Sequence, residues 1–234
     1  MNEDFDSRII VALDFPNADA AMVLVEQLNP SLCKLKVGKE LFTAAGPDFV
    51  SKLVKKGFKV FLDLKFHDIP NTVASACKVA ADLGVWMMNV HASGGRKMME
   101  TAANRLAQLD SPPLLIAVTI LTSLSEDEIH EIGYQGSPED NVLHLASLTH
   151  DSGLNGIVCS PLEASPVRNA IPADEFKLIT PGVRPSFAAT NDQKRIMTPA
   201  DALDAGASYL VIGRPITAAE DPMVNLQKIL DEIA

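Results

Sequence analysis

The run Asp63-Leu64-Lys65-Phe66-His67-Asp68-Ile69-Pro70-Asn71-Thr72 brings carboxylates, an ammonium and an imidazole together where an apolar segment gives way to a proline-led one. Read as a strand, Lys59–Leu64 alternates its side chains between two faces, so Asp63 and Lys65 share one face and Val60, Leu62 and Leu64 the other. With the apolar set packed under helices, the Asp and Lys point inward. Charges placed there must be paired, because removing one partner of a buried pair costs about 3–5 kcal/mol. Lys36, on the face opposite Cys33, Leu35 and Val37, and Asp14, at the end of the apolar run Ile9–Leu13, extend the group. Two lysines and two or three aspartates in one array set one another's pKa values and suit proton transfer and stabilisation of developing charge. Singly, each residue has an ordinary structural reading: Asp68 is a turn residue before Pro70, and Lys36 is a solvated charge at a sheet edge. It is the joint pattern that points to a site.

A second group lies near the C-terminus, where the apolar run Tyr209–Ile212 meets Gly213-Arg214-Pro215 in front of a helical segment. Glycine permits close backbone approach, and a guanidinium holds two oxyanion oxygens at once, so the pair suits a phosphate. The preceding loop, from Pro181-Gly182-Val183-Arg184-Pro185 through Gln193, adds an arginine and an amide. Its length and composition over residues 182–195 suit a lid that closes on a ligand. Taken alone, Gly-Arg-Pro is also a common turn. Other chemistries find little support. The histidines and cysteines have no zinc or HExxH spacing, and the chain has neither a GxSxG elbow nor a Walker loop. No metal site is expected. His91 closes an apolar run and either lines the site or packs behind it.

The elements that must position these groups alternate regularly. Apolar runs at Ile9–Leu13, Leu32–Val37, Lys59–Leu64, Val85–Val90, Leu114–Thr119, Gly156–Cys159, Lys177–Thr180 and Tyr209–Ile212 are separated by segments of helical periodicity. About eight βα units make a closed (β/α)8 TIM barrel of the α/β class, with its active site at the C-terminal ends of the strands. An open dinucleotide-binding sheet is disfavoured, because no GxGxxG turn follows the first strand. Between strands five and six, two helical patches at Glu126–Ile132 and Asp140–Asp151 elaborate one unit. With 234 residues, 47% hydrophobic and 21% charged, and no linker or low-complexity break, the chain reads as a single domain over residues 1–234. Its net charge of −10 argues against nucleic acid or an anionic membrane as a partner. Three widely spaced cysteines read as reduced thiols, and the N-terminus MNEDFDSR lacks the basic start and apolar run of a secretory signal, so a cytoplasmic location is expected.

The Asp63–Thr72 run resembles the DxKxxDIxxT signature of the orotidine 5′-phosphate decarboxylase family. Val11-Ala12-Leu13-Asp14, Leu35-Lys36-Val37-Gly38, Leu121-Thr122-Ser123, Thr180-Pro181-Gly182-Val183-Arg184-Pro185 and Ile212-Gly213-Arg214-Pro215 agree with it across nearly the whole chain. The resemblance implies decarboxylation of orotidine 5′-monophosphate (OMP) to UMP and carbon dioxide, without metal or cofactor, by a barrel homodimer with shared active sites. It implies that Lys65 donates a proton to C6, within a network of Lys36, Asp63, Lys65 and Asp68. Asp68, Ile69 and Thr72 would reach into the partner subunit's site. Asp14 and Lys36 would bind the ribose, Thr122 would help fix the substrate, and Arg184, Gln193, Gly213 and Arg214 would serve the pyrimidine and phosphate. Two alternatives stay open. One is a magnesium-dependent phosphosugar decarboxylase such as 3-keto-L-gulonate 6-phosphate decarboxylase, in which an acidic residue matches Lys36. The other is a non-catalytic barrel that binds a phosphate ligand.

Overall fold

A computed structural model of the chain describes residues 6–188 and 197–234. Eight parallel strands, β1 (Ile9–Leu13), β2 (Lys34–Gly38), β3 (Val60–Phe66), β4 (Met87–His91), β5 (Leu114–Val118), β6 (Gly156–Val158), β7 (Lys177–Pro181) and β8 (Tyr209–Ile212), pair in sequence order and close into a barrel through β8 and β1. The expected barrel is therefore present. Alternation divides each strand between two cores. Ile10, Ala12, Phe61, Met87, Ile116, Ile179 and Val211 pack inside the barrel, while Ile9, Val11, Leu13, Leu35 and Val37 face the surrounding helices.

Helices α1 (Ala18–Val25), α2 (Lys39–Lys55), α3 (Pro70–Asp82) and α4 (Arg96–Leu106) follow β1 to β4. Proline leads α3, and Val73, Ala74, Cys77 and Ala80 form its buried stripe, as the periodicity requires. Between β5 and β6 stand α5 (Glu126–Glu131) and α6 (Pro138–Asp151), each opened by a capping box, Ser125 with Glu128 and Ser137 with Asp140. They match the two patches read in that segment. The outer ring is completed by α7 (Pro161–Ala170), α8 (Pro199–Asp204), α9 (Arg214–Thr217) and α10 (Pro222–Glu232). Among the described residues, no helix is long and apolar enough to cross a membrane.

Strand β3 departs from the sequence-based expectation, running on to Phe66 with its register against β4 broken between Leu62 and Phe66. Lys65 sits in that break with φ of 54°, the only positive φ at a non-glycine among the described residues. Left-handed backbone costs an L-residue about 1–2 kcal/mol, so neighbouring contacts must hold it there.

The opposite end of the barrel is closed by charge. Lys34, on the same inward face as Lys36 but one layer deeper, is 2% exposed. Its ammonium donates to Asp6 Oδ1 at 2.9 Å and to the Ser7 carbonyl, and it lies 5.0 and 4.9 Å from the Trp86 and Tyr209 ring centroids. Lys59 and Tyr209 also donate to Asp6, at 2.7 and 2.8 Å. Burial acts to raise the Asp6 carboxyl, but hydrogen bonds from Lys59, Lys34 and Tyr209 outweigh it and hold the pKa at about 2. A depressed folded-state pKa gives stability that is present above the unfolded value, near 4, and lost as pH falls through 2. Asp6 is 44% exposed on its side chain, which screens the interaction. Asp6→Asn should therefore cost about 1–2 kcal/mol at pH 7, less than a fully buried pair. That corresponds to a melting temperature lower by about 2–6 °C, and the variant's melting curve should vary less than that of the parent between pH 4 and 2. Equal melting temperatures at pH 7 would refute this reading.

Candidate active site

The C-terminal ends of the strands open into a cavity of about 340 Å³, within the size range of small-molecule sites. Its floor is apolar, made by Ala12, Phe61, Val118, Val158, Ile179 and Val211 from the inward faces of six strands. Charged groups stand above that floor because each strand's next inward position falls at the barrel mouth: Asp14 follows Ala12, and Asp63 follows Phe61.

Asp63 is the centre of the charge array. Its Oδ1 accepts from Lys65 Nζ at 2.6 Å, and its Oδ2 lies 3.4 Å from Lys36 Nζ. Lys36 Nζ in turn lies 3.3 Å from Asp14 Oδ1. Charge thus alternates along the row Asp14, Lys36, Asp63, Lys65. Burial acts to raise the Asp63 carboxyl, but the Lys36 and Lys65 ammoniums, with hydrogen bonds from Lys65 and Asn89, bring it below the usual carboxylate range. Asp63 is therefore an anion around neutral pH. Gly38 is part of this packing, since a Cβ there would approach Lys36 Nζ to 3.3 Å.

Across the cavity, Gly182, Arg184, Gly213 and Arg214 line the wall formed by the ends of β7 and β8, and Thr122 lines it from the segment after β5. Arg184 is 7% exposed. The structure therefore brings together Asp14, Lys36, Asp63, Lys65, Thr122, Arg184, Gly213 and Arg214. Asp68, Ile69 and Thr72 are not among the lining residues. They sit exposed at the start of α3, where Asp68 Oδ1 accepts from the Ile69 N–H at 2.6 Å. Gln193, and most of the lid expected over 182–195, lie outside the described residues.

The sequence reading passed over one participant, Asn89. It is fully buried on the inward face of β4, accepts from the Lys65 N–H at 2.8 Å and donates to Asp63 Oδ1 at 2.7 Å. A polar residue between Met88 and Val90 was the available signal. His91, two residues further on, does not line the cavity; its ring centroid lies 5.5 Å from that of His67. Burial, assisted by the neighbouring His67, Lys39 and Lys65, lowers its pKa to about 4, so His91 is neutral at physiological pH. Among the described residues, no three His, Cys, Asp or Glu side chains are grouped to hold a metal ion.

Comparison with known proteins places this geometry in context. The family model described as "Orotidine 5'-phosphate decarboxylase / HUMPS family" matches residues 7–229. The chain is 59% identical over 228 residues to the orotidine 5′-phosphate decarboxylase of Nitrosococcus oceani, spanning 97% of this chain and 98% of that one. It is also 59% identical over 228 residues to the corresponding protein of Nitrosospira multiformis, spanning 97% and 94%. The crystal structure of orotidine 5′-phosphate decarboxylase from Lactobacillus acidophilus matches with a TM-score of 0.87 and 40% identity, over 97% of this chain and 99% of that one.

Proposed function

The chain belongs to the orotidine 5′-phosphate decarboxylase / HUMPS family, and we infer from that membership and from its cavity that it converts OMP to UMP and carbon dioxide, the last step of de novo pyrimidine synthesis. The observation that carries this reading is the ammonium of Lys65, held 2.6 Å from Asp63 at the mouth of a cavity whose opposite wall presents Arg184 and Arg214. A cation for the reacting carbon and guanidiniums for a phosphate are the two things this substrate needs.

In the reaction the C6–carboxylate bond breaks, its electron pair stays on C6, and carbon dioxide departs. That pair occupies an in-plane orbital which the pyrimidine π system cannot absorb, so stabilisation must come from outside the ring. Lys65 supplies it as a fixed positive charge and then delivers a proton to C6, after which solvent reprotonates the amine. Asp63, itself held by Lys36, keeps that ammonium aimed. Asp14 and Lys36 bind the ribose, Thr122 helps fix the substrate, and Gly213 and Arg214 hold the phosphate with Arg184 and Gln193 alongside. Binding energy at the phosphate, remote from C6, immobilises the ring for the reaction. The whole chain, residues 1–234, acts as one barrel unit.

The protein works as a homodimer in which Asp68, Ile69 and Thr72 complete the partner subunit's site. In support, none of these residues lines the cavity of its own chain, and Ile69, an apolar residue at the start of α3, is 68% exposed. The described cysteines Cys33, Cys77 and Cys159 are free and buried, consistent with a reducing, cytoplasmic setting.

A magnesium-dependent phosphosugar decarboxylase is the competing activity within the family. Lys36 disfavours it: an ammonium between Asp14 and Asp63 occupies the place where a cation would need a carboxylate and would repel the metal. Purified protein mixed with OMP in excess chelator should bleach the orotate chromophore. No conversion with or without magnesium would refute the assignment, and strict magnesium dependence would reverse the choice between activities.

A further inference from the structure

Asn89 is a buried polar residue that none of the motif positions requires, and both ends of its amide are engaged at the active site. The orientation of the amide is dictated by its partners, since a backbone N–H only donates and the ionised Asp63 carboxylate only accepts. Oδ1 therefore faces the Lys65 N–H, and Nδ2 faces Asp63 Oδ1, at 2.8 and 2.7 Å. Two features make this placement consequential. The β3–β4 register breaks between Leu62 and Phe66, so the backbone of Lys65 has no ladder partner on β4, and the Asn89 side chain takes that place. Lys65 is also the residue whose backbone is left-handed, with φ of 54°. By contrast, β4 itself is in unbroken register with β5 over all five of its residues, which makes it a rigid base.

We propose that Asn89 is a positioning residue for decarboxylation: a single amide on β4 that pins the Lys65 backbone in its left-handed turn and orients the Asp63 carboxylate, fixing the reach of the Lys65 ammonium toward C6. Asn89 does not line the cavity, so it acts only through those two residues. With the amide gone, the Lys65 N–H is unpaired, the bulge is free to relax toward regular strand, and Asp63 rotates with its remaining lysine contacts. The ammonium then moves from its working position by a fraction of its length, and misplacement of about 1 Å is enough to cost about a hundredfold in rate. The groups on the phosphate and ribose side, Arg184, Arg214 and Asp14, are untouched by this change.

The inference rests on the proposed decarboxylase reading, and the test separates the two. In the full-length protein, Asn89→Ala should lower kcat by about a hundredfold while the dissociation constant for UMP changes less than about fivefold. Asn89→Leu keeps the volume but removes both the acceptor for Lys65 and the donor to Asp63. It guards against a folding failure of the alanine variant and should show the same separation between kcat and UMP affinity. A kcat within threefold of the parent in either folded variant would overturn the proposal. So would a loss of UMP affinity as large as the loss of kcat, which would make Asn89 a packing residue. Failure of the parent protein itself to turn over OMP would instead refute the activity.

Discussion

Lys65→Ala should reduce kcat/KM for OMP by about 10⁴-fold, because one ammonium supplies both the charge that stabilises the developing carbanion and the proton that quenches it. Fixed-charge stabilisation is worth about 10²–10³ in rate and a positioned general acid about 10²–10⁴. The two are not independent here, so their product is an upper bound rather than the expectation. The fold should survive the change. Lys36 Nζ remains 3.4 Å from Asp63 Oδ2 and Asn89 still donates to Oδ1, so the carboxylate keeps a countercharge and a hydrogen bond. Alanine at position 65 keeps the strained φ but loses the ion pair. The phosphate wall, with Arg184 and Arg214, is unaltered, so UMP should bind with an affinity within about tenfold of the parent, which calorimetry can check. Loss of the orotate absorbance measures turnover. Activity within tenfold of the parent would remove Lys65 from the chemistry and with it the mechanism proposed above.

Much of this arrangement was legible from residue order because barrel strands carry two independent signals. The apolar runs located all eight strands to within two residues, and alternation assigned Lys36 and Asp63 correctly to the inward face. Period two failed as an explanation at Lys65. It does reach the cavity, as expected, but by way of a register break and a left-handed backbone held from another strand. Such a bulge is decided by a contact between positions 24 residues apart, which no local pattern encodes. Lys34 illustrates a second limit. It shares its face with Lys36, yet it closes the far end of the barrel with Asp6, because alternation gives the face of a strand and not the depth along it. Asp68 marks a third: it belongs to the same motif as Asp63 and Lys65, yet unlike them it does not line the cavity of its own chain.

Asp68→Ala should lose about 10³-fold or more in kcat/KM, as expected for a charge that orders a catalytic ammonium, even though Asp68 lies outside the cavity of its own chain. Within one chain the residue has a modest role, accepting a hydrogen bond from the adjacent Ile69 N–H at an exposed turn. A change there confined to the chain's own structure would cost little, since exposed turn contacts are worth about 1 kcal/mol or less. The two readings therefore differ by orders of magnitude. Subunit mixing makes the distinction sharper. In a two-fold symmetric dimer with shared sites, an Asp68→Ala chain paired with a Lys65→Ala chain forms one site carrying both defects and one carrying neither. Random exchange makes half of the dimers mixed, so two inactive preparations should together recover about a quarter of the parent's activity. Differently tagged chains, co-expressed and separated by tandem affinity, would isolate the mixed dimer, which should then show about half. No recovery in a verified mixed dimer would mean that Asp68 and Lys65 act in the same site of one chain. The proposal that the partner completes each active site would then fall, while the decarboxylase assignment would stand.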